Sequence, residues 1–184
     1  MTRKSLFVFL LLAGAATSFA QTANDYLLWN ATRRLRVDDF AMKTKQSETT
    51  SSFGQFTVDY EVGGFSFFTR NFNQKVHNYF LRNASWIDTT SNLLQTLRYQ
   101  QTLFDLCEIY TRQFRRALRE NRKQFLKGTD IAKALNSQYM SEFAKRRVAY
   151  DGETRFGTDG TAQKQWEAQI QKELAALDAN AYEK

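Results

Sequence analysis

The chain predicts an α+β domain: a small antiparallel or mixed sheet followed by a long central helix and two further C-terminal helices. Three observations predict it. Phe56 to Val62 alternates apolar and polar residues without error, the period of a half-buried strand. Leu93 to Arg119 places Tyr99, Leu103, Leu106, Cys107, Tyr110, Phe114 and Leu118 on one arc at about 100° per residue, the period of a helix. Two later segments repeat that helical spacing after the strand-like ones have ended, so sheet and helices follow each other in sequence.

The 184 residues suit one domain. Residues 1–20 have the parts of a secretory signal: Arg3 and Lys4, the apolar run Leu6 to Leu12, and Ser18-Phe19-Ala20 as a small-x-small cleavage site. Cleavage near Ala20 would leave an exported domain, periplasmic or extracellular, with no other apolar stretch long enough to span a membrane. The formal charge is +7, of which Arg3 and Lys4 carry two, so the domain itself is basic but not extreme.

Tyr26-Leu27-Leu28-Trp29 opens an apolar segment, Leu35 to Phe40 follows, and the polar run Met42 to Ser52 reads as a surface loop. After the Phe56–Val62 strand, Gly63-Gly64 is suited to a tight turn into a strand beginning at Phe65-Ser66-Phe67, and Lys75 to Leu81 reads as a third strand. Asn92 or Ser91 caps the long helix, and no Pro or Gly interrupts it before Gly128. Thr129-Asp130 starts the next helix, with Ile131, Ala134, Leu135, Tyr139, Met140 and Phe143 on one stripe. The last runs from Thr161 to about Leu177 on Trp166, Ile170 and Leu174.

The sole cysteine, Cys107, lies in the apolar arc and reads as a small buried hydrophobe. The sole histidine, His77, sits among strand aromatics as a packing or surface residue and has no histidine partner for a metal. Arg112, Arg115, Arg116, Arg119, Arg122 and Lys123 fall opposite the apolar arc, as a solvated face with Glu108 and Arg112 in a surface i, i+4 ion pair. Arg112, Arg115, Arg116 and Arg119 are the residues that a weak contact with an anionic surface would use. No nucleic-acid motif, Gly-rich phosphate loop or internal repeat is present, and no cofactor is indicated.

A catalytic zinc helix places two imidazoles four residues apart with a Glu beside the first as general base, in the pattern H-E-x-x-H. Here the corresponding residues are Tyr99-Gln100-Gln101-Thr102-Leu103. Leu103-Phe104-Asp105, Glu108, Tyr110 and Arg112 keep the surrounding frame, and the segment resembles the helix of a bacterial family of secreted, largely uncharacterised zinc-dependent proteases, L-L-x-H-E-x-x-H-F-D-I-x-E-x-Y-x-R. Ala149 to Gly157 resembles the family's Y-D-x-x-T-x-H-G segment, with Phe156 where a third histidine would stand, and the frame continues through Gln163 and Trp166. Leu35 to Phe40 resembles the family's first strand, L-x-W-x-D-F, with Val37 at the Trp position, and Ser85-Trp86 matches a short signature ahead of the helix.

The resemblance implies a zincin-like fold with the ligand residues replaced at Tyr99, Gln100, Leu103 and Phe156. It implies a pseudoprotease without metal or catalytic residues, binding a peptide or protein beside its sheet edge. Two other readings stand beside it: a hydrolase with an unrecognised site, for example Tyr99 and Asp105 with a partner from the Asp151 to Gly160 loop, or an envelope-associated structural protein held by its basic helix.

Overall fold

A computed structural model of the protein describes residues 25–47, 50–61 and 72–182. Four strands precede three helices: β1 (Tyr26–Leu28), β2 (Met42–Thr44), β3 (Ser52–Tyr60), β4 (Val76–Asp88), α1 (Leu93–Glu120), α2 (Asp130–Glu153) and α3 (Gly160–Ala176). The fold is therefore α+β, with a small mixed sheet ahead of the helices. The signal-like segment 1–20, the Gly63-Gly64 turn and the strand at Phe65-Ser66-Phe67 lie outside the described residues.

β4 is the centre of the sheet. β3 runs antiparallel along one of its edges, while the other edge pairs antiparallel with β1 at Tyr79–Leu81 and parallel with β2 at Trp86–Asp88. The third strand thus extends seven residues beyond Leu81, because a register irregularity hides its continuation: Gln55 pairs with Leu81 and Phe53 with Trp86. Ser85 fills the irregularity, its hydroxyl accepting from the Gln55 N–H (3.0 Å) and donating to the Leu81 carbonyl (2.5 Å).

Two expectations are corrected in the N-terminal part. Part of the Met42–Ser52 loop is strand β2, and Leu35–Phe40 is no strand but encloses a single 3-10 turn at Val37–Asp39. The cause is local. The Asp39 carboxylate accepts from the Arg36 N–H (2.8 Å) and from the Arg33 guanidinium (2.7 Å), a side-chain alternative to ladder pairing.

α1 begins where Asn92 accepts from the Gln95 N–H, and it is buried on every side: each residue from Tyr99 to Arg112 is buried. Phe104 stacks on Phe56 of the sheet (5.4 Å), Tyr110 meets Phe143 of α2 (6.2 Å), and Thr102 receives the Gln163 amide of α3 (2.9 Å). On the remaining side the indole of Trp29, just after β1, donates to Asp105 (2.9 Å). Leu103, Leu106, Leu118 and Phe114 are fully buried, each contributing about 1.5–3 kcal/mol of apolar transfer. No described helix is long and apolar enough to cross a membrane.

Enclosure of α1 overturns the solvated basic face at Arg112 and Arg115, while Arg116, Arg122 and Lys123 are exposed as expected. Arg112 and Arg115 are 4% and 1% exposed, and Glu108 between them is also buried. Glu108 Oε1 accepts from Arg115 Nη1 (2.6 Å) and Arg112 Nε (3.2 Å), and its Oε2 accepts from Asn78 Nδ2 (3.3 Å). The second positive charge is met by carbonyls: Arg115 donates to Val76 and Asn180, and Arg112 to Leu174 near the C-terminus of α3, where the helix dipole favours a cation. Arg119 is half-buried on Asn73, which leaves Arg116 as the exposed member of the four arginines proposed for an anionic surface. Removing one partner of such a cluster leaves the rest uncompensated. Glu108→Ala should therefore lose about 3–5 kcal/mol of unfolding free energy, while Arg116→Ala changes it by less than about 0.5 kcal/mol; urea titrations of the two variants test the contrast.

Candidate functional site

Four consecutive residues of α1 each serve a different neighbour, because successive side chains are rotated by about 100°. The Tyr99 hydroxyl donates to Asp151 of α2 (2.5 Å) while its ring stacks on Tyr150 at 5.3 Å. Gln100 turns to the sheet, its amide donating to Ser52 Oγ (2.8 Å) and its Oε1 standing 2.4 Å from where a side chain at Gly54 would begin. Gln101 accepts the Leu35 N–H (2.8 Å), and Thr102 faces α3. Leu103, one turn after Tyr99, is sealed in the core.

The turn after α2 does come back to α1, through Gly157 and not through Phe156. Gln95 donates to the Gly157 carbonyl (2.7 Å), and the Gly157 backbone lies so close to Tyr99 that an added Cβ would sit 2.6 Å from the tyrosine Cβ. Its φ of 81° is a second reason for glycine. Phe156, also left-handed at φ 55°, is 52% exposed, and the side chain at the proposed third-ligand position is thus turned largely to solvent. The expected loop from Asp151 to Gly160 is shorter than its sequence suggests, since α2 continues through Glu153.

The donor set at these positions does not fit a zinc ion. Burial, and then the hydrogen bond to Asp151, hold the Tyr99 phenol far above its ordinary value near 10, so it stays a protonated donor. Gln100 has no basic lone pair for a proton, Leu103 has no donor atom, and Phe156 has none either. Among the described residues no three His, Cys, Asp or Glu side chains converge on one point. Cys107 is fully buried, which pushes its thiol up, and His77 packs between Tyr79 (5.4 Å) and Tyr182 (5.5 Å), where burial lowers its pKa.

Asp105 belongs elsewhere. It lies on the far side of α1 from Tyr99, where Trp29, Gln101, Arg34 and Gln171 donate to it, so Tyr99 and Asp105 do not form one site. Beside it opens a cleft of about 410 Å³ between the first turns of α1, the 34–35 segment and α3. Leu35, Leu94 and Leu97 supply its apolar surface, with Arg34, Arg98 and Glu167 as its charged groups. A second depression of about 220 Å³ shares Arg34, Asp105 and Gln171 with it. Arg34, Arg98, Glu167 and Gln171 carry no local motif, and their convergence depends on how α3 returns to α1. Asp105, in the Phe104-Asp105 pair, was the sequence signal pointing to this place.

No family model, curated protein or solved structure matches this chain. The zincin-like resemblance rests on its motif residues alone.

Two outcomes follow from this geometry. Gly157→Ala should cost about 1–3 kcal/mol through backbone strain and the clash on Tyr99, read as a lowered thermal midpoint. Asp105 is a pH-sensitive group beside the cleft: burial holds its carboxyl above 3.8, so the folded state binds that proton more tightly than the unfolded chain. Its contribution to stability falls as pH rises from about 4 through the raised value. The stability of the protein relative to Asp105→Asn should therefore decline over that window in urea titrations at successive pH values.

Proposed function

We propose that the protein is an exported, non-catalytic pseudoprotease that binds a peptide or protein segment. The observation that carries this reading is the use to which the motif positions are put. Tyr99 holds α2 and Gln100 holds the sheet, while Leu103 fills the core. None of the three presents a nucleophile, a base or a metal donor to an open cleft, and a group committed to buried structural contacts is not available to a substrate.

Export is supported by the signal-like order of residues 1–20. Binding is supported by the cleft beside Asp105. Its volume of about 410 Å³ lies within the range of about 300–1,000 Å³ typical of ligand sites, and its surface combines apolar side chains with a few charged ones. The cleft lies along α1 and α3, so a bound segment would rest on helices and not beside the sheet edge. Zincin-like ancestry accounts for the retained frame around Tyr99-Gln100-Gln101-Thr102-Leu103 and is part of the same proposal.

The expected result is that protein purified without chelators carries substoichiometric zinc by elemental analysis and leaves a quenched-fluorescence peptide library uncut. One zinc per chain, or cleavage that is lost both in Gln100→Ala and on adding chelator, would overturn the proposal in favour of a working hydrolase.

A further inference from the structure

The cleft can be assigned a ligand chemistry by counting which of its hydrogen-bonding groups are already spent; this deepens the peptide-binding reading above and rests on it. Asp105 is saturated. Its Oδ1 accepts from Trp29 Nε1 (2.9 Å) and Gln101 Nε2 (2.8 Å), and its Oδ2 from Arg34 Nη1 (3.0 Å) and Gln171 Nε2 (3.3 Å). Glu167 has both oxygens in a fork with Arg98, and its Oε1 also accepts from Gln163 Nε2 (2.9 Å). Gln101 Oε1 is occupied by the Leu35 N–H. The two carboxylates of the cleft are therefore engaged within the fold, and a cationic ligand would have to compete with these bonds to enter.

Donor capacity is different. Arg98 spends Nε and Nη2 on Glu167, but Arg34 spends only Nη1, one of the five N–H groups of a guanidinium, and its side chain is 59% exposed. Arg34 lines both depressions, and so stands where they meet. On one side of it lie Leu35, Leu97 and Leu94, the last 79% exposed; on the other lie Trp29, Ala31 and Leu174 with the charged Arg112, already bonded to Glu108 and the Leu174 carbonyl, and the acidic Asp178. A ligand that fits must present an anionic acceptor to Arg34 and extend from it in two directions. A fatty acid extends in one. An amino acid with a free carboxylate branches at Cα into a side chain and a chain-bearing nitrogen.

We propose that the groove captures the C-terminal carboxylate of a peptide ending in an aliphatic residue. The carboxylate pairs with the open edge of Arg34, the terminal side chain lies on Leu35, Leu94 and Leu97, and the preceding residues run into the second depression toward Trp29 and Leu174. Carboxylate capture by a guanidinium is charge-assisted and geometrically selective, and the leucines select against a polar last residue. Asp105 acts as a positioning residue, holding Arg34 over the junction from below.

Fluorescence anisotropy with N-terminally labelled hexapeptides ending in Ala-Leu tests this on the whole purified protein, comparing the free acid with the C-terminal amide. The free acid should bind saturably and the amide at least tenfold more weakly, the size expected for one charge-assisted hydrogen bond. Arg34→Gln should weaken the acid about tenfold and leave the amide unchanged. Leu94→Asp, at an exposed position in the first turn of α1 where an acidic residue suits the helix dipole, should preserve the fold by circular dichroism and abolish binding of the leucine-ended acid. Equal binding of acid and amide, lost in Leu94→Asp, would overturn the carboxylate assignment and leave peptide binding intact. No saturable binding of either would overturn both, and displacement of the peptide by decanoate at lower concentration than by the unlabelled acid would overturn the assignment to a peptide.

Discussion

Glu108, Arg112 and Arg115 form the contact on which the arrangement depends. Three charges taken out of water cost several kcal/mol each, and their mutual attraction offsets this only when the remaining hydrogen-bonding positions are also filled. Here they are filled by other elements of the fold. Arg115 reaches the first residue of β4 and the C-terminal Asn180 carbonyl, Arg112 reaches the end of α3 and lies over the Trp29 ring at 5.2 Å, and Asn78 of β4 closes on Glu108. A cluster of this kind is satisfied only when sheet, α1, α3 and the C-terminal tail are all in place. It thereby penalises partial assemblies in which a charge stays buried without its partners.

The same logic extends along α1 toward its N-terminus. A helix enclosed on all sides usually has an apolar surface all round, whereas this one carries Gln100, Gln101, Thr102, Asp105, Thr111 and two arginines in its buried stretch. Apart from Thr111, which donates to the Cys107 carbonyl of α1 itself, each of these side chains reaches a neighbouring element, so the rotation of α1 about its own axis is fixed by hydrogen bonds as well as by packing. Gly54 shows how tightly. The sheet can approach Gln100 there only because no side chain stands between them.

The parts of this fold that were legible in the sequence are those set by local periodicity. The alternation over Phe56–Tyr60, the apolar arc of α1, its Asn92 cap and the stripe of α3 report one face against one core, and so does the α2 stripe except at Ala134, which is exposed while Ala132 is buried. Burial of the opposite face of α1 was not legible, because a helical wheel assigns arginines to solvent unless a partner is known. The available hint was Glu108, one turn before Arg112 and two before Arg115, which read equally well as a surface pair. The turn at Val37–Asp39 was hidden by a carboxylate bonding its own backbone, and the second half of β4 by the four residues between Leu81 and Trp86 that oppose only Gly54. The cleft was least legible, since Arg34, Arg98 and Glu167 come from three distant segments with no shared spacing.

Which face of α1 can be exposed follows from the side chains at Tyr99 and Leu103. An ion held at these two positions would need its water to reach that face of α1, whereas α2 and the Gly157 turn close over it. With a phenol hydrogen-bonded to Asp151 and a leucine in the core, closing that face gains apolar burial, and the carboxylate it partly desolvates, Asp151, is met by the Tyr99 hydroxyl and by Arg147. On the polar side of the helix lies a concavity of about 410 Å³, where Asp105 pairs with Arg34 and Leu94, Leu97, Glu167 and Gln171 line the walls. The pair of Arg34 and Asp105 stands at the junction of the two depressions, so it is the Arg34 face of α1 that stays concave and not the face that carries Tyr99 and Leu103.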